Sequence, residues 1–437
     1  MIGRFILAAA LTALAALPLR AQVSVQEITS PGGIDAWLVE ERAIPFVALE
    51  LRFLGGTSLD DPGSEGATAM MAAALTEGAG ELDSRAFAAE LEALAARFSV
   101  SAGGDTLSVS ATFLTENRDA AVALMRTALS EPRFDEDAVE RLRARAISGA
   151  RSELRNPNGI ASRTLAELMF GDHPYARRGD GTEESLAALT VADLRAAHAG
   201  ALARDRLHVA AVGDIGAEAL GALLDDLLGW LPETGAPLPP HAEVLADGGV
   251  TVVPFDGPQS VIAFGHAGIA RDDPDFLTAF VMMETFGGGR FGTRLMREIR
   301  ERRGLTYGVG AYLASRSFGE TIEGRFSTDN ARAGEALEIL RDEWARMAAE
   351  GPTEAEVDAI RTYLTGAYPL RFDGNANIAR ILVGMQIQGL PADYMTYRND
   401  LVEALDREAL AAVAARLLDA GALRFVVVGQ PAGLAAD

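Results

Sequence analysis

The order of periodic segments in this chain occurs twice, and few folds accommodate that. Residues 35–39 and 45–53 read as a strand pair, with Phe46 and Ala48 on one face and Val47, Leu49 and Leu51 on the other. A helix is expected over 65–77, apolar almost all round and therefore buried. Another begins at Asp83 or Ser84, either of which can cap it, and carries Phe87, Leu91 and Leu94 at helical spacing. A hairpin over 98–102 and 106–113 turns through Gly103, Gly104 and Asp105, followed by helices over 118–130 and 135–155 and a strand over 207–212. The second half repeats the order: strands 250–254 and 260–266, helices 274–286 and 291–302, and a hairpin of 307–314 with 321–327. Helices over 330–349, 353–368 and 407–418 and a strand over 424–428 close it. Such a chain is expected to form two like domains, 22–231 and 249–437, joined by a Pro/Gly/Ala-rich linker at 232–248. Each would be an antiparallel sheet covered by helices, an α+β architecture.

Composition narrows the partners. The net charge of −23 disfavours nucleic acid and anionic membrane surfaces, which the chain's own field would repel. All 39 basic residues are Arg, which with the abundant Ala and Gly reads as a GC-rich bacterial coding bias. The absence of Cys excludes disulfides, thiolate nucleophiles and Cys-ligated metals. Residues 1–4 form a basic start, 5–17 an apolar run, and 18–21 precede Gln22; this is signal-peptide anatomy with cleavage expected after Ala21. The apolar run is too short for a stable span, and no later stretch is long enough, so a periplasmic protein of a Gram-negative bacterium is expected, without a membrane span after cleavage. The alternative is an uncleaved N-terminal anchor.

Two segments carry chemistry. Residues 55–66 (Gly-Gly-Thr-Ser-Leu-Asp-Asp-Pro-Gly-Ser-Glu-Gly) lead into a helix that, by itself, is simply a buried Ala/Met helix. Residues 286–295 (Phe-Gly-Gly-Gly-Arg-Phe-Gly-Thr-Arg-Leu) are followed at 298–307 by Glu-Ile-Arg-Glu-Arg-Arg-Gly-Leu-Thr-Tyr. The glycines follow a helix and lack the Lys-Ser/Thr of a phosphate loop, so no nucleotide site is expected. Arg297, Arg300, Arg302 and Arg303 would complement a helix dipole, and Tyr307 on a strand would ordinarily pack. None of His173, His198, His208, His241 and His266 is paired at i, i+3 or i, i+4, and no Gly-x-Ser-x-Gly elbow occurs.

Both segments resemble the signatures of the pitrilysin/insulinase-type zinc peptidases, which include the mitochondrial processing peptidase. Active members carry His-x-x-Glu-His on the helix: two imidazoles four residues apart hold zinc, the Glu activates its water, and a Glu on a later helix completes the ligands. The resemblance places Ala69 and Ala73 at the His positions, Ala72 at the Glu and Gly149 at the distal Glu. None can bind a metal, and the lone carboxylates Glu77 and Glu153 make a poor zinc site. It also implies a clamshell of the two domains, in which Arg300 and Tyr307 bind the substrate peptide and stabilise its developing oxyanion. The implied protein binds no cofactor, is inactive alone, and serves as one subunit of a heterodimeric zinc metallopeptidase. Its partner is a homologous subunit bearing the zinc motif, and their substrate is a peptide. A catalytically inactive scaffold or assembly protein of the same fold is the alternative.

Overall fold

A computed structural model describes residues 24–434, so the expected leader over 1–21 lies outside the described residues. The first half opens with β1 (Gln26–Thr29), β2 (Asp35–Glu40), β3 (Phe46–Leu54), α1 (Ala67–Ala74), α2 (Ser84–Ala93), β4 (Arg97–Ala102) and β5 (Thr106–Leu114). Helices α3 (Arg118–Ser130), α4 (Glu136–Glu153), α5 (Pro157–Phe170), α6 (Glu183–Ala188) and α7 (Val191–Ala201) lead to β6 (Leu207–Gly213) and α8 (Ala217–Leu228). Residues 230–249 form no helix or strand. The second half contains β7 (Val250–Pro254), β8 (Gln259–Ala267), α9 (Phe276–Gly287), β9 (Val309–Arg316), β10 (Gly319–Asp329), α10 (Ala333–Glu350) and α11 (Glu354–Ala367). It ends with α12 (Asn375–Ile387), α13 (Tyr394–Glu403), α14 (Arg407–Leu417) and β11 (Arg424–Gly429).

The strand order records the duplication. The first sheet runs β1-β2-β6-β3-β5-β4 and the second, read from its far edge, β7-β11-β8-β10-β9. Apart from the extra β1, every strand has a counterpart in the same place. Each sheet is antiparallel except for one pair, β2 with β6 and β7 with β11. Parallel neighbours need a long crossover, and the helices between these strands provide it. The caps fall where the side chains dictate: Asp83 accepts from Ala86 N–H, and Thr353 forms a reciprocal box with Glu356.

One expectation fails in the second signature. Residues 291–302 do not form a continuous helix; a short π-type segment occupies Met296–Glu301, where Arg302 N–H bonds Arg297 C=O at 3.0 Å. Gly289 and Gly292, with φ of 71° and 89°, hold the preceding turn in the left-handed region and keep the helix from starting at Phe291. Likewise Tyr307 does not open a strand, because β9 begins at Val309.

Each half lends a helix to the other. Helix α5 places Ile160, Ala161, Leu165 and Met169 against Val261, Ala263, Val426 and Val428 of the second sheet. Helix α12 places Ile378, Ala379, Leu382 and Val383 against Val39, Ala48, Ala210 and Val212 of the first. The alternate residues of the same strands, such as Ile262, Phe264, Phe425 and Val427, face each half's own helical core. The central strands are thus buried on both faces, which explains why they are apolar at successive positions. Where α5 crosses β8, a Cβ on Gly265 would stand 2.1 Å from Met169 Sδ. The Gln386 side chain of α12 accepts from Val209 N–H (3.2 Å) and donates to Val209 C=O (2.7 Å), continuing the β6 ladder beyond its pairing with β2. Replacing Gln386 by Ala leaves both backbone groups without that partner. Urea melts are expected to show a loss of about 1–3 kcal/mol.

Candidate functional site

Helix α1 starts where it does because of Asp60. Its buried carboxylate accepts from Gly66 N–H (3.0 Å), Thr68 N–H (3.0 Å) and the Thr68 hydroxyl (2.6 Å), while Gly66 turns the chain at φ 92°. Burial pushes Asp60 up to about 6 against these bonds and the nearby Arg177. Asp60 is a residue that sequence reasoning passed over within a motif it had singled out; an acid shortly ahead of a predicted helix start was the available signal.

With α1 so placed, Ala69 and Ala73 converge with Gly149 of α4 on a single cavity of about 750 Å³. Nothing lies within 4 Å of where a Gly149 Cβ would be. Ala72 is not part of this wall: it is buried with Met71 and Ala74 in the first-half core. Two methyl groups and a hydrogen therefore occupy the positions implied for ligands, and they have no electron pairs to give a cation. Glu153 also lines the cavity, but Glu77 instead engages Ser84 and Arg141. Among the described residues no three His, Asp or Glu side chains are grouped to hold a metal. Zinc does not fit this site.

The histidines are engaged elsewhere. His198 bonds Leu129 C=O at 2.7 Å and stacks on Trp230, while His266 bonds Ala267 C=O at 2.7 Å. His241 meets Glu320 at 2.9 Å. His173 accepts from Tyr175 N–H and bonds Pro240 C=O, and burial lowers the pKa of His208. The turn after His173 forms a clasp between the halves. Tyr175 donates its hydroxyl hydrogen to Asp105 and accepts from Phe318 N–H at 2.9 Å, and Asp105 accepts from Ser317 N–H at 2.8 Å.

In the second signature most arginines are committed to structure. Arg294, almost wholly buried, and Arg297 both bond Glu356, at 2.5 and 2.6 Å. Burial opposes ionisation of Glu356, yet Arg294, the Thr353 N–H and Arg297 hold it down to about 2. Arg302 and Arg303 fold back onto buried Glu298 at 2.7 and 3.0 Å. Arg300 differs: among the described residues it makes no ion pair, and its guanidinium lies 4.4 Å over the exposed Phe291 ring. Tyr307 is 87% exposed. Neither Arg300 nor Tyr307 lines the cavity between α1 and α4 that Ala69, Ala73 and Gly149 share.

Comparison with known proteins agrees with this geometry. A model of the insulinase family (peptidase family M16) matches residues 37–178, and a model of the peptidase M16 inactive domain matches 188–364. Fold and cavity together define a peptidase scaffold from which metal-binding side chains are missing. The chain belongs to the insulinase family, peptidase family M16. It is 27% identical over 356 residues to a Helicobacter pylori protein named non-peptidase homolog YmxG, covering 81% of this chain and 82% of that protein. It is 29% identical over 233 residues to an uncharacterized zinc protease of Mycobacterium tuberculosis, covering 51% of this chain and 52% of that one. The crystal structure of a peptidase M16 inactive domain from Pseudomonas fluorescens superposes with a TM-score of 0.86 at 29% identity, covering 95% of this chain and 99% of that one.

Two predictions follow from the site. Ala69, Ala73 and Gly149 face one open space, so the triple variant A69H/A73H/G149E is expected to bind one zinc ion where the parent binds none, read by titration against a chromophoric chelator. The second concerns pH. Glu356, lowered from 4.5 to about 2, contributes stability that is present above pH 4.5 and lost as pH falls toward 2. Asp60, raised from 3.8 to about 6, contributes stability that is full below pH 3.8 and lost as pH rises through 6. In melts across pH, Glu356→Gln should flatten the acid limb, and Asp60→Asn the change between about pH 4 and 6.

Proposed function

We propose that this chain is the non-zinc subunit of a periplasmic, heterodimeric zinc metallopeptidase, supplying substrate binding and transition-state stabilisation to a homologous partner that carries the metal. The observation that carries the reading is the state of Arg300: in a segment where its arginine neighbours are tied to Glu298 or Glu356, it makes no ion pair among the described residues, and seven residues on in the chain Tyr307 is exposed. Uncommitted side chains in a rigidly braced segment are what a binding surface requires. A guanidinium fork and a phenol can hold a peptide carbonyl and the oxyanion that develops from it without changing protonation state near neutral pH. The absence, among the described residues, of a metal-ligand group around Ala69, Ala73 and Gly149 and the similarity to the inactive M16 domain support a role that depends on a partner. The leader anatomy of residues 1–21 supports export.

The test is to co-purify the chain with an exported homologue carrying His-x-x-Glu-His and to measure hydrolysis of a quenched fluorescent peptide library. Neither chain alone should cleave. In the pair, Arg300→Ala is expected to lower kcat by about 10²–10³-fold, as for removal of an oxyanion donor, and Tyr307→Phe to lower it less. Unchanged turnover in both variants removes the assigned role. No turnover with any such homologue, together with stable association with a non-peptidase complex, would favour the scaffold reading.

A further inference from the structure

The duplication makes a second cavity at the counterpart of the first. The first lies among α1, α4, α5 and the segment before α6; the second, of about 620 Å³, lies among α9, the turn after α11, α12 and α13. Its lining is unusual for a chain with a net charge of −23: Arg271, Arg371, Arg380 and Arg398 face it, and no carboxylate does. None of the four forms an ion pair among the described residues. Arg398 is 5% exposed and bonds only neutral groups, Leu364 C=O at 3.1 Å and the Asn399 amide oxygen at 3.2 Å, with Tyr394 beside it. Arg271 keeps a buried Nε–H without an acceptor.

A buried guanidinium without a counter-charge is costly, and here it stands beside others of like sign. Burial lowers the pKa of both Arg271 and Arg398, and Arg371 adds to the effect at Arg398. Arg398 does act on the Glu284 carboxylate, but that acid bonds Arg290 and does not line the cavity. The arginines are held by stacking rather than by salt bridges: Arg271 lies 4.1 Å over the Phe276 ring and Arg398 lies 4.6 Å over Tyr368. Stacking occupies the guanidinium faces and leaves in-plane N–H groups for an acceptor. Between the cations the walls carry Ser315, Asn377 and Gln388 but are mostly aromatic and aliphatic, so a bare inorganic anion would leave the rings wet, whereas an anion with an apolar body covers them.

We propose that this second-half cavity binds a peptide segment through an acidic side chain, the carboxylate meeting the arginines and the flanking apolar residues lying on the rings. That a peptide carries the anion rests on the function proposed above; the cavity's demand for an organic anion does not. The test uses the isolated chain without partner or zinc. Fluorescence anisotropy is recorded with fluorescein-labelled Ala-Leu-Glu-Phe-Glu-Ala and with its Gln-for-Glu counterpart. The Glu peptide is expected to bind at least tenfold more tightly, and Arg371→Gln/Arg380→Gln, both at exposed positions, to erase the difference without changing the thermal melt. Arg300→Ala should leave the preference intact, which separates this site from the substrate-binding role proposed for Arg300. Equal binding of the two peptides, or a preference that survives the double substitution, overturns the proposal. Displacement of the Glu peptide by inorganic phosphate as readily as by the unlabelled peptide overturns the assignment to a carboxylate.

Discussion

The exchange of helices between the two halves is the constraint on which this structure depends. A sheet exposed on one face would need polar residues at alternate positions, but the central strands are apolar on both sides. Helices α5 and α12 cross to cover the faces that each half leaves open. The close approach at Gly265, the Gln386 bonds to Val209 and the bonds of Phe318 N–H to Tyr175 and Ser317 N–H to Asp105 fix that docking at separate points. The halves are therefore held by core-like packing rather than by a wet interdomain contact, and moving one against the other would expose apolar area on both sheets.

The packing shows how this scaffold keeps its form with no metal ligands at residues 69, 73 and 149. Nothing in the packing of α1 against α4 requires a cation. Small residues at 69, 73 and 149 let the helices stand around an open cavity, while Asp60 and Gly66 set the helix start from outside it. In the second half, the Glu356 and Glu298 networks brace the run between Gly289 and Gly304. Charge pairs of this kind contribute little net stability but fix geometry, because leaving either partner unpaired is expensive. That geometry is what leaves Arg300 free.

Much of this was legible from the chain itself. Helices beginning at Ser84 and Arg118 and strands beginning at Asp35, Thr106, Val250 and Arg424 begin where periodicity and caps place them, since those signals are local. The 291–302 segment departs from its expected helix because apolar spacing cannot register two glycines at positive φ or an arginine drawn toward a carboxylate 62 positions away. Asp60 was overlooked for a related reason: its role depends on a helix start folding back over it. Ala72 matched the motif by spacing, yet its place in the first-half core became visible only with the helix orientation.

The sequence by itself determined the duplicated α+β plan, the family signatures and the lack of imidazole or carboxylate at the motif positions, because these are matters of residue identity and local period. Only the tertiary structure decided which half covers which sheet, that Ala69, Ala73 and Gly149 share one cavity, which arginines are neutralised, and that four others face a space without an acid. Those outcomes depend on groups far apart in the chain meeting in three dimensions, and neither burial nor charge pairing can be read before they meet.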